Sequence, residues 1–359
     1  MNITIVGGGN IGTQFAVHCA EKNNNVTIFT SDPTIFSKQL EIVNEDGRVI
    51  HIAKVNNVTN SEQDAFKDAN LIFITYPAFK MKEIAQILLK YSKPGLKICI
   101  VPGTGGGECN FQEHIRKGCV VFGLQRVPSV ARLVEKGKKV CATGYRDRLS
   151  VASLPRKFEE ECKNIISNIF EMPCDGIGNY LNLTLTPSNP ILHTTRLYSL
   201  FFNYSQGKIY SRMPLFYEDW DDNTSRLLFK CDDEVQDICQ KLSDFDLKNV
   251  KSLKIHYESD TPSKLTQKIQ SIKGFKGLKT PSIEVNGGYI PDLNSRYFTA
   301  DFNFGLIILI EIAKIINVDV LSMKKIWNWY ENIMIEKNIF LFKDYNINNY
   351  EDFINFYSL

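Results

Sequence analysis

Three glycines in the pattern G-x-G-x-x-G directly follow a short β-prone run at the start of this 359-residue chain. The run NITIVG (2–7) predicts a strand, and the spacing of apolar residues over 12–23 predicts an amphipathic helix. In such a unit Gly7 permits a tight turn, Gly9 lets the backbone approach a pyrophosphate, and Gly12 allows close helix–strand packing. A tight turn without a ligand is the alternative. The residues that this pattern assigns to a dinucleotide site are Gly7, Gly9, Asn10, Ile11 and Gly12.

Strands and helices alternate over the first half of the chain. Further strands are predicted at 25–30, 71–77, 96–103, 118–124 and 138–144, with a helix at 80–92. After about residue 182 the pattern becomes mostly helical, with helices predicted at 190–207, 232–245, 263–272, 301–317 and 321–335. We therefore predict an N-terminal α/β Rossmann domain over residues 1–182, with a doubly wound, mostly parallel sheet, and a mostly α-helical domain over 183–359.

The end of the second predicted strand bears on which dinucleotide is bound. An NAD site usually has an acidic residue there, whereas this chain has Thr30 and Ser31, with Asp32 a little late. Hydroxyl groups can hydrogen bond to a 2′-phosphate, and Lys38 adds positive charge if the loop folds back. The segment favours NADP and leaves NAD open. The alternatives to a cofactor contact are that Ser31 or Asp32 caps the next helix and that Lys38 is a solvated surface residue.

Two later loops are expected beside the ligand because they follow predicted parallel strands. Tyr76 and Pro77 end the strand predicted at 71–77, and we assign them to the cofactor site. The glycine-rich segment VPGTGGGE (101–108) follows the next strand, and we assign its Thr104 to substrate binding. Turn formation alone is the alternative for both loops.

Composition excludes several classes of function. A net charge of +2 gives no reason to expect nucleic acid or a membrane surface as a partner. We see no apolar run long enough to span a bilayer and expect no signal peptide. Nine scattered cysteines show no zinc spacing and suit reduced thiols, so we expect a cytoplasmic protein without a metal. A homodimer is left open.

One of the five histidines has a notable position. In TPSNPILHTTRLYSLF (186–201), His193 lies just inside a predicted helix that begins at Asn189-Pro190. Histidine titrates near neutrality and is suited to exchanging a proton with a substrate. By position alone, a core or capping histidine is as good an explanation.

A second segment, NSRYFTADFNFGL (294–306), supplies partners for such a histidine. Asp301 could accept the second ring N–H of His193 and fix its tautomer. Arg296 could bind a substrate carboxylate through two hydrogen bonds. The alternatives are an N-capping aspartate and a surface arginine.

Four segments together resemble the opine dehydrogenases, the octopine/nopaline dehydrogenase family. They are NP..H (189–193), FYEDWDDNTSRLL (216–228), GLKTPS (277–282) and RYFTADFNFGL (296–306). The resemblance implies reductive condensation of an amino acid with a 2-keto acid, using NADH or NADPH. It also implies that His193 and Asp301 are catalytic and that Arg296 binds the substrate carboxylate. The chain departs from the family in having Ala300-Asp301 where an acidic pair is common.

Two other classes of function stay open. Ketopantoate-reductase-like, glycerol-3-phosphate-dehydrogenase-like and other 2-keto acid reductases are the nearest, although the first two use a lysine where this chain offers His193. A dinucleotide-binding sensor without chemistry is the other, and it has no need for His193 and Asp301 to converge. A hydrogen bond between these two side chains favours the enzyme. The substrate pair and the direction of reaction stay undetermined.

Overall fold

The computed structural model describes residues 1–334 and 338–359. The chain forms two compact units, one of residues 1–184 with 355–359 and the other of residues 185–354. The boundary predicted from the sequence falls between residues 182 and 183. The end of the helix predicted over 321–335 lies outside the described residues.

The first unit contains twelve of the strands and six of the α-helices in the described part of the chain. The strands are β1 (Asn2–Val6), β2 (Asn25–Phe29), β3 (Gln39–Val43), β4 (Val49–Lys54), β5 (Asn57–Thr59), β6 (Leu71–Ile74), β7 (Lys97–Ile100), β8 (Val120–Leu124), β9 (Val130–Glu135), β10 (Lys139–Thr143), β11 (Leu149–Leu154) and β12 (Cys174–Gly176). The helices are α1 (Asn10–Glu21), α2 (Glu62–Phe66), α3 (Met81–Leu89), α4 (Gln112–Arg116), α5 (Glu159–Phe170) and α6 (Leu181–Thr184).

Eight strands form the main sheet, in the order β12-β11-β8-β7-β6-β1-β2-β5. All neighbours are parallel except β11, which runs antiparallel to β8. Two apolar clusters cover the sheet, one including Phe15 of α1 and Ile166 of α5, the other Phe66 of α2 and Leu88 of α3. Burial on both faces accounts for continuous apolar runs such as LIFI in β6. The predicted α/β fold with a mostly parallel sheet is confirmed.

The order of the main sheet reverses at β1, which lies between β2 and β6. At such a switch point the loops that follow the two central strands diverge and leave a crevice at their carboxyl ends. The glycine loop leaves β1 at this point, and Tyr76 and Pro77 follow β6. The topology therefore places these two predicted cofactor loops side by side.

The strand predicted at 138–144 is present as β10, but it belongs to a second, four-stranded sheet of order β4-β3-β10-β9. Val140 and Ala142 are buried, whereas the residues that alternate with them are partly exposed. This two-residue period is typical of a strand with only one covered face. The strand was predicted without being distinguished from those of the parallel sheet.

The second unit is mostly helical, as predicted. Its helices are α7 (Asn189–Phe201), α8 (Asp222–Lys241), α9 (Leu253–His256), α10 (Pro262–Ser271), α11 (Arg296–Thr299), α12 (Ile307–Ile315) and α13 (Leu321–Ile333). One antiparallel hairpin joins β13 (Ser282–Val285) and β14 (Gly288–Pro291). The last helix of the chain, α14, spans Tyr350–Tyr357.

Several predicted helix bounds were wrong. Helix α7 ends at Phe201, six residues before the predicted end at 207, and α8 begins ten residues before the predicted start at 232. The early start of α8 follows from Asp221, whose carboxylate caps the helix by accepting the Thr224 N–H. The apolar segment predicted as one helix over 301–317 begins with a π-helical turn, Phe302–Leu306. In the described part of the chain, no helix has both the length and the apolar character needed to cross a bilayer.

Candidate active site

The glycine loop has the geometry that its spacing predicts. Gly7 has a φ of +101°, a conformation that glycine adopts without strain. A Cβ atom on Gly12 would lie 1.8 Å from the carbonyl oxygen of Gly7, so only glycine allows this approach. A Cβ atom on Gly9 would meet nothing within 4 Å, which leaves open space near the N-terminus of α1. These features fit the pyrophosphate of a dinucleotide.

The neighbours of the glycine loop have different surroundings. The side-chain oxygen of Asn10 accepts the Leu133 N–H at 2.8 Å, so this side chain joins α1 to β9. Ile11 is half-buried and packs against the core. The ring of Tyr76 lies against Gly7, and its pKa is raised by burial and by Glu83. The Asn10 side-chain oxygen and the Ile11 side chain therefore have contacts within the folded unit itself.

Of the residues after β2 that bear on the choice between NAD and NADP, some have side chains without a hydrogen-bond or ion-pair partner among the described residues. The side chains of Ser31 and Lys38 are exposed and form no hydrogen bond or ion pair with the described residues. Thr30 is half-buried, and its main-chain N–H donates to the Thr59 carbonyl oxygen. The Asp32 carboxylate accepts the Thr34 hydroxyl at 2.7 Å and does not cap the following 3₁₀ turn.

The loop after β2 folds back onto the glycine loop through Phe36, which was not predicted as a site residue. A Cβ atom on Gly8 would lie 2.2 Å from Cζ of Phe36, so the phenyl ring covers that glycine. The Ser37 N–H also donates to the Gly137 carbonyl oxygen at 2.9 Å in the β9–β10 turn. The aromatic residue that follows Ile35 in this short loop was the available signal.

Two further predicted residues lie in the loops that leave the main sheet. Pro77 precedes a 3₁₀ turn, Ala78–Lys80, and is half-buried. Thr104 is half-buried in the loop after β7, just before Gly105 and Gly106 with their positive φ angles. The turn chemistry expected of this glycine-rich loop is therefore present, and Thr104 keeps a partly accessible side chain.

In the second unit, the predicted hydrogen bond between His193 and Asp301 is present. Nδ1 of His193 lies 2.7 Å from Oδ2 of Asp301. The His193 side chain is 6% exposed and that of Asp301 is 18% exposed. Asp301 does not cap the following helical turn, which removes the alternative reading of this residue.

Close packing brings these two segments together. A Cβ atom on Gly305 would lie 3.0 Å from Cβ of Pro190, so the π-helical turn lies directly against the first turn of α7. Gly305 of the π-helical turn therefore packs against Pro190 at the start of α7. This contact holds His193 and Asp301 within hydrogen-bonding distance.

The second ring nitrogen of His193 is also occupied. Nε2 lies 2.7 Å from the hydroxyl of Tyr217, and the ring of Tyr297 stacks on the imidazole at 4.3 Å between centroids. An ionised Asp301 can only accept, so Nδ1 carries the proton and Nε2 accepts from the Tyr217 O–H. Neither tyrosine was predicted as a site residue, although each lies in a segment that carried the family resemblance.

Tyr217 stays protonated because burial raises its pKa well above the usual range, and Tyr297, Tyr257 and Asp301 add to the rise. The Tyr297 side chain also forms a hydrogen bond with Tyr217. Asp301, His193, Tyr217 and Tyr297 therefore form one continuous chain of polar groups.

Arg196 orders the segment that contains Tyr217. It is 1% exposed, and its guanidinium donates to the carbonyl oxygens of Phe216 at 2.8 Å and Asp219 at 2.7 Å. Burial lowers its pKa to about 10, and Asp221 and Asp219 oppose this effect. A charged residue three positions after His193, on the same helix, was the signal that could have identified it.

Arg296, the predicted carboxylate-binding residue, is the first residue of α11 and is exposed. Its guanidinium forms no hydrogen bond or ion pair with any residue that the structure describes. The neighbouring residue in the chain is Tyr297, which stacks on His193. Arg296 is therefore available for an external anion.

One group of potential metal ligands occurs in the described part of the chain. His18, Glu21 and His51 place their ligand atoms within 4.8 Å of one another. Nδ1 of His51 lies 2.9 Å from Oε2 of Glu21, and burial, followed by His51, lowers the pKa of His18 to about 3. The spacing of these residues in the sequence does not indicate the group, because α1 and β4 meet only in the folded unit. The absence of a resident metal stays a prediction.

Two family models match the chain. That of the α-helical domain of the NAD/NADP octopine/nopaline dehydrogenases matches residues 176–334. That of the ketopantoate reductases PanE/ApbA matches residues 3–151. The resemblance to ketopantoate reductases is thus confined to the Rossmann part, which does not favour that activity for the whole chain.

Several characterised proteins are similar over nearly the whole length. Tauropine dehydrogenase from Arabella iricolor is 26% identical over 364 residues, covering 92% of this chain and 91% of the relative. Octopine dehydrogenase from Mizuhopecten yessoensis is 24% identical, covering 92% and 89%. A solved octopine dehydrogenase with NADH and L-arginine matches with a TM-score of 0.84 at 20% identity, over 100% of this chain and 98% of that one.

A glycine loop on a parallel sheet, followed by a helical unit with a buried histidine–aspartate pair, defines an NAD(P)-dependent oxidoreductase with a helical second domain. The matched family model of the helical domain includes both residues of the pair, and the two relatives named above are a tauropine dehydrogenase and an octopine dehydrogenase. The comparisons support the opine dehydrogenase family for this chain. It is an NAD(P)-dependent oxidoreductase acting on CH–NH bonds.

Proposed function

We propose that this protein joins the amino group of an amino acid to a 2-keto acid and reduces the resulting imine, with His193 and Asp301 as its acid–base pair. The hydrogen bond of 2.7 Å between these two buried side chains is the observation that carries the proposal. In the family, the solved octopine dehydrogenase binds NADH together with L-arginine or with pyruvate. An amino acid and a 2-keto acid are therefore the substrate classes to test.

The proton chemistry of this reaction requires one group that both accepts and donates. An amine attacks a carbonyl carbon only after it loses its ammonium proton, and the hydroxyl of the adduct leaves as water only after it gains one. His193 takes up the first proton and returns it for the second step. Asp301 keeps the ring in one tautomer and stabilises the imidazolium. A bound nicotinamide cofactor supplies the hydride that reduces the imine carbon.

Substrate carboxylates require a cationic partner, because both an amino acid and a 2-keto acid carry one. We assign Arg296 to this task, since its exposed guanidinium has no partner among the described residues. Thr104, with its half-buried side chain, is assigned a hydrogen bond to substrate. Both assignments rest on accessibility and residue chemistry.

For the cofactor, the proposed contacts are Gly7, Gly9, Asn10, Ile11, Gly12, Thr30, Ser31, Lys38, Tyr76 and Pro77. We propose NADPH as the preferred form, because Ser31 and Lys38 are uncommitted donors after β2 and neither Thr30 nor Ser31 is acidic. NADH use with lower efficiency is compatible with the same site.

The function is tested by following NADPH and NADH oxidation against a matrix of amino acids and 2-keto acids. We expect oxidation only when both substrates are present, and mass spectrometry should detect the secondary amine. Oxidation that needs a keto acid alone would instead identify a simple 2-keto acid reductase. Near-wild-type turnover of His193→Asn with a confirmed substrate pair would overturn the assigned role of His193.

A further inference from the structure

We propose that Tyr217 and Tyr297 form a proton relay that connects the buried His193 to the substrate. The inference rests on the proposed function, since it takes His193 as the acid–base group. A proton must reach His193 from the substrate although neither ring nitrogen of His193 is free. Nδ1 is bonded to Asp301 and Nε2 to Tyr217, each at 2.7 Å.

Direct access of a substrate to Nε2 is blocked. The His193 side chain is only 6% exposed, and the Tyr217 residue is 3% exposed. Tyr297 stacks on one side of the imidazole at 4.3 Å, and the ring of Phe216 meets it edge-on at 5.5 Å. A substrate atom would have to replace the Tyr217 hydroxyl to reach this nitrogen.

Tyr217 is held too firmly for such a replacement. Its ring stacks on Phe275 at 4.0 Å with an interplanar angle of 14°, and it lies parallel to Trp220 at 6.3 Å. Arg196 also fixes the preceding residue by donating to the Phe216 carbonyl oxygen. A hydroxyl in this position can pass a proton on without moving its ring.

Tyr297 provides the outer end of the relay. Its side chain hydrogen bonds to Tyr217, and the residue is half-buried rather than fully enclosed. It directly follows Arg296, the residue assigned to the substrate carboxylate. The relay requires that an amino acid anchored through its carboxylate at Arg296 reach the Tyr297 hydroxyl with its ammonium group.

The transfer balances without leaving charge on either tyrosine. The substrate N–H bond breaks as an O–H bond forms on Tyr297, Tyr297 gives its own proton to Tyr217, and Tyr217 gives its own to Nε2. The products are a neutral amine and an imidazolium that is paired with Asp301. No tyrosinate accumulates, which agrees with the raised pKa of the Tyr217 phenol.

The test compares Tyr217→Phe and Tyr297→Phe, which remove only hydroxyls, with Tyr330→Phe. Tyr330 is a matched control because it is a buried tyrosine of the same unit, and its hydroxyl hydrogen bonds to Asn303 at 2.8 Å. We expect each relay variant to lose about 10²-fold or more in kcat, the usual scale of acid–base catalysis, while the Tyr330 variant keeps its turnover. Near-wild-type kcat in either relay variant would overturn the relay.

Two further measurements separate the possible outcomes. If His193→Asn is inactive while Tyr217→Phe is fully active, the relay is wrong and the proposed function stands. If His193→Asn is itself active, the acid–base assignment fails. A proton inventory of the wild-type enzyme in H₂O–D₂O mixtures needs no variant to fold. We expect a curved plot from several protons in flight, and a linear plot with a normal isotope effect would overturn the relay.

Discussion

Nδ1 of His193 lies 2.7 Å from Oδ2 of Asp301, although 108 positions separate the two residues in the chain. The contact depends on close packing of the π-helical turn after Asp301 against Pro190 at the start of α7. A buried imidazole with an ionised partner is oriented and ready to accept a proton. The following changes test this arrangement and the structure around it.

Asp301→Asn should lower kcat by about two to four decades, because the amide can no longer stabilise the imidazolium or enforce its tautomer. The measurement is steady-state turnover with a confirmed substrate pair. Asp319→Asn is the control, since Asp319 is 85% exposed and pairs only with Lys324 among the described residues. Equal turnover of both variants would contradict a catalytic role for Asp301.

Arg196→Lys should destabilise the second unit by about 1–3 kcal/mol, because an ammonium group cannot satisfy the carbonyl oxygens of Phe216 and Asp219 together. Turnover should fall as well, since these residues flank Tyr217. Denaturant unfolding and kcat are the measurements. Arg212→Lys, at an arginine that is 83% exposed, should change neither quantity.

Gly9→Ala and Gly12→Ala should separate cofactor binding from folding. The methyl group of Gly9→Ala enters open space, so this variant should keep its melting temperature and lose affinity for NADPH. The methyl group of Gly12→Ala meets the Gly7 carbonyl oxygen. This second variant should therefore have both a lower melting temperature and a lower affinity for NADPH. Fluorescence titration and thermal unfolding provide the two readouts. Unchanged NADPH affinity in Gly9→Ala would show that no phosphate approaches there.

Ser31→Asp should lower the ratio of kcat/KM for NADPH over NADH by about tenfold or more, equivalent to about 1.4 kcal/mol. The new carboxylate repels a 2′-phosphate and can accept a hydrogen bond from a 2′-hydroxyl. Lys38→Ala should weaken NADPH use alone, whereas Lys117→Ala at the end of α4 should affect neither cofactor. A ratio that already favours NADH in the wild type would refute the NADPH preference.

Asp232→Asn should stabilise the protein increasingly as the pH rises. Burial raises the pKa of Asp232 from 3.8 to about 7, while its Oδ2 accepts the Leu253 N–H and its Oδ1 has no partner among the described residues. The unfolded chain releases this proton near pH 4 and the folded chain near pH 7. The wild type therefore loses stability between these values.

Asparagine keeps the hydrogen-bond acceptor and has no proton to lose, so its advantage should grow by about 2–3 kcal/mol between pH 5 and pH 8. Denaturant unfolding at the two pH values measures this difference. Asp237→Asn, an exposed position on the same helix, should show no such trend. If the difference in free energy of unfolding between Asp232→Asn and the wild type is the same at both pH values, the pKa of Asp232 is not raised by folding.

The glycine loop and the class of both domains were predictable from the amino-acid sequence alone. The spacing of Gly7, Gly9 and Gly12 and the run of buried strands are local patterns, and their geometry follows from steric limits within a few residues. The residues of two short segments left the pairing of His193 with Asp301 as one of several possibilities, and the resemblance to the opine dehydrogenases favoured it. The same local information did not distinguish β10, in a second sheet, from the parallel strands.

The surroundings of His193, in contrast, depend on how distant segments of the chain pack in the folded protein. The Tyr217 hydroxyl on Nε2, the Tyr297 ring on the imidazole and the buried Arg196 guanidinium come from separate segments of the chain. The same is true of Phe36 over Gly8 and of His18 beside His51. Such contacts depend on how helices and loops pack across long separations in sequence. No periodicity in the chain encodes them, and burial then sets the protonation of the groups that they enclose.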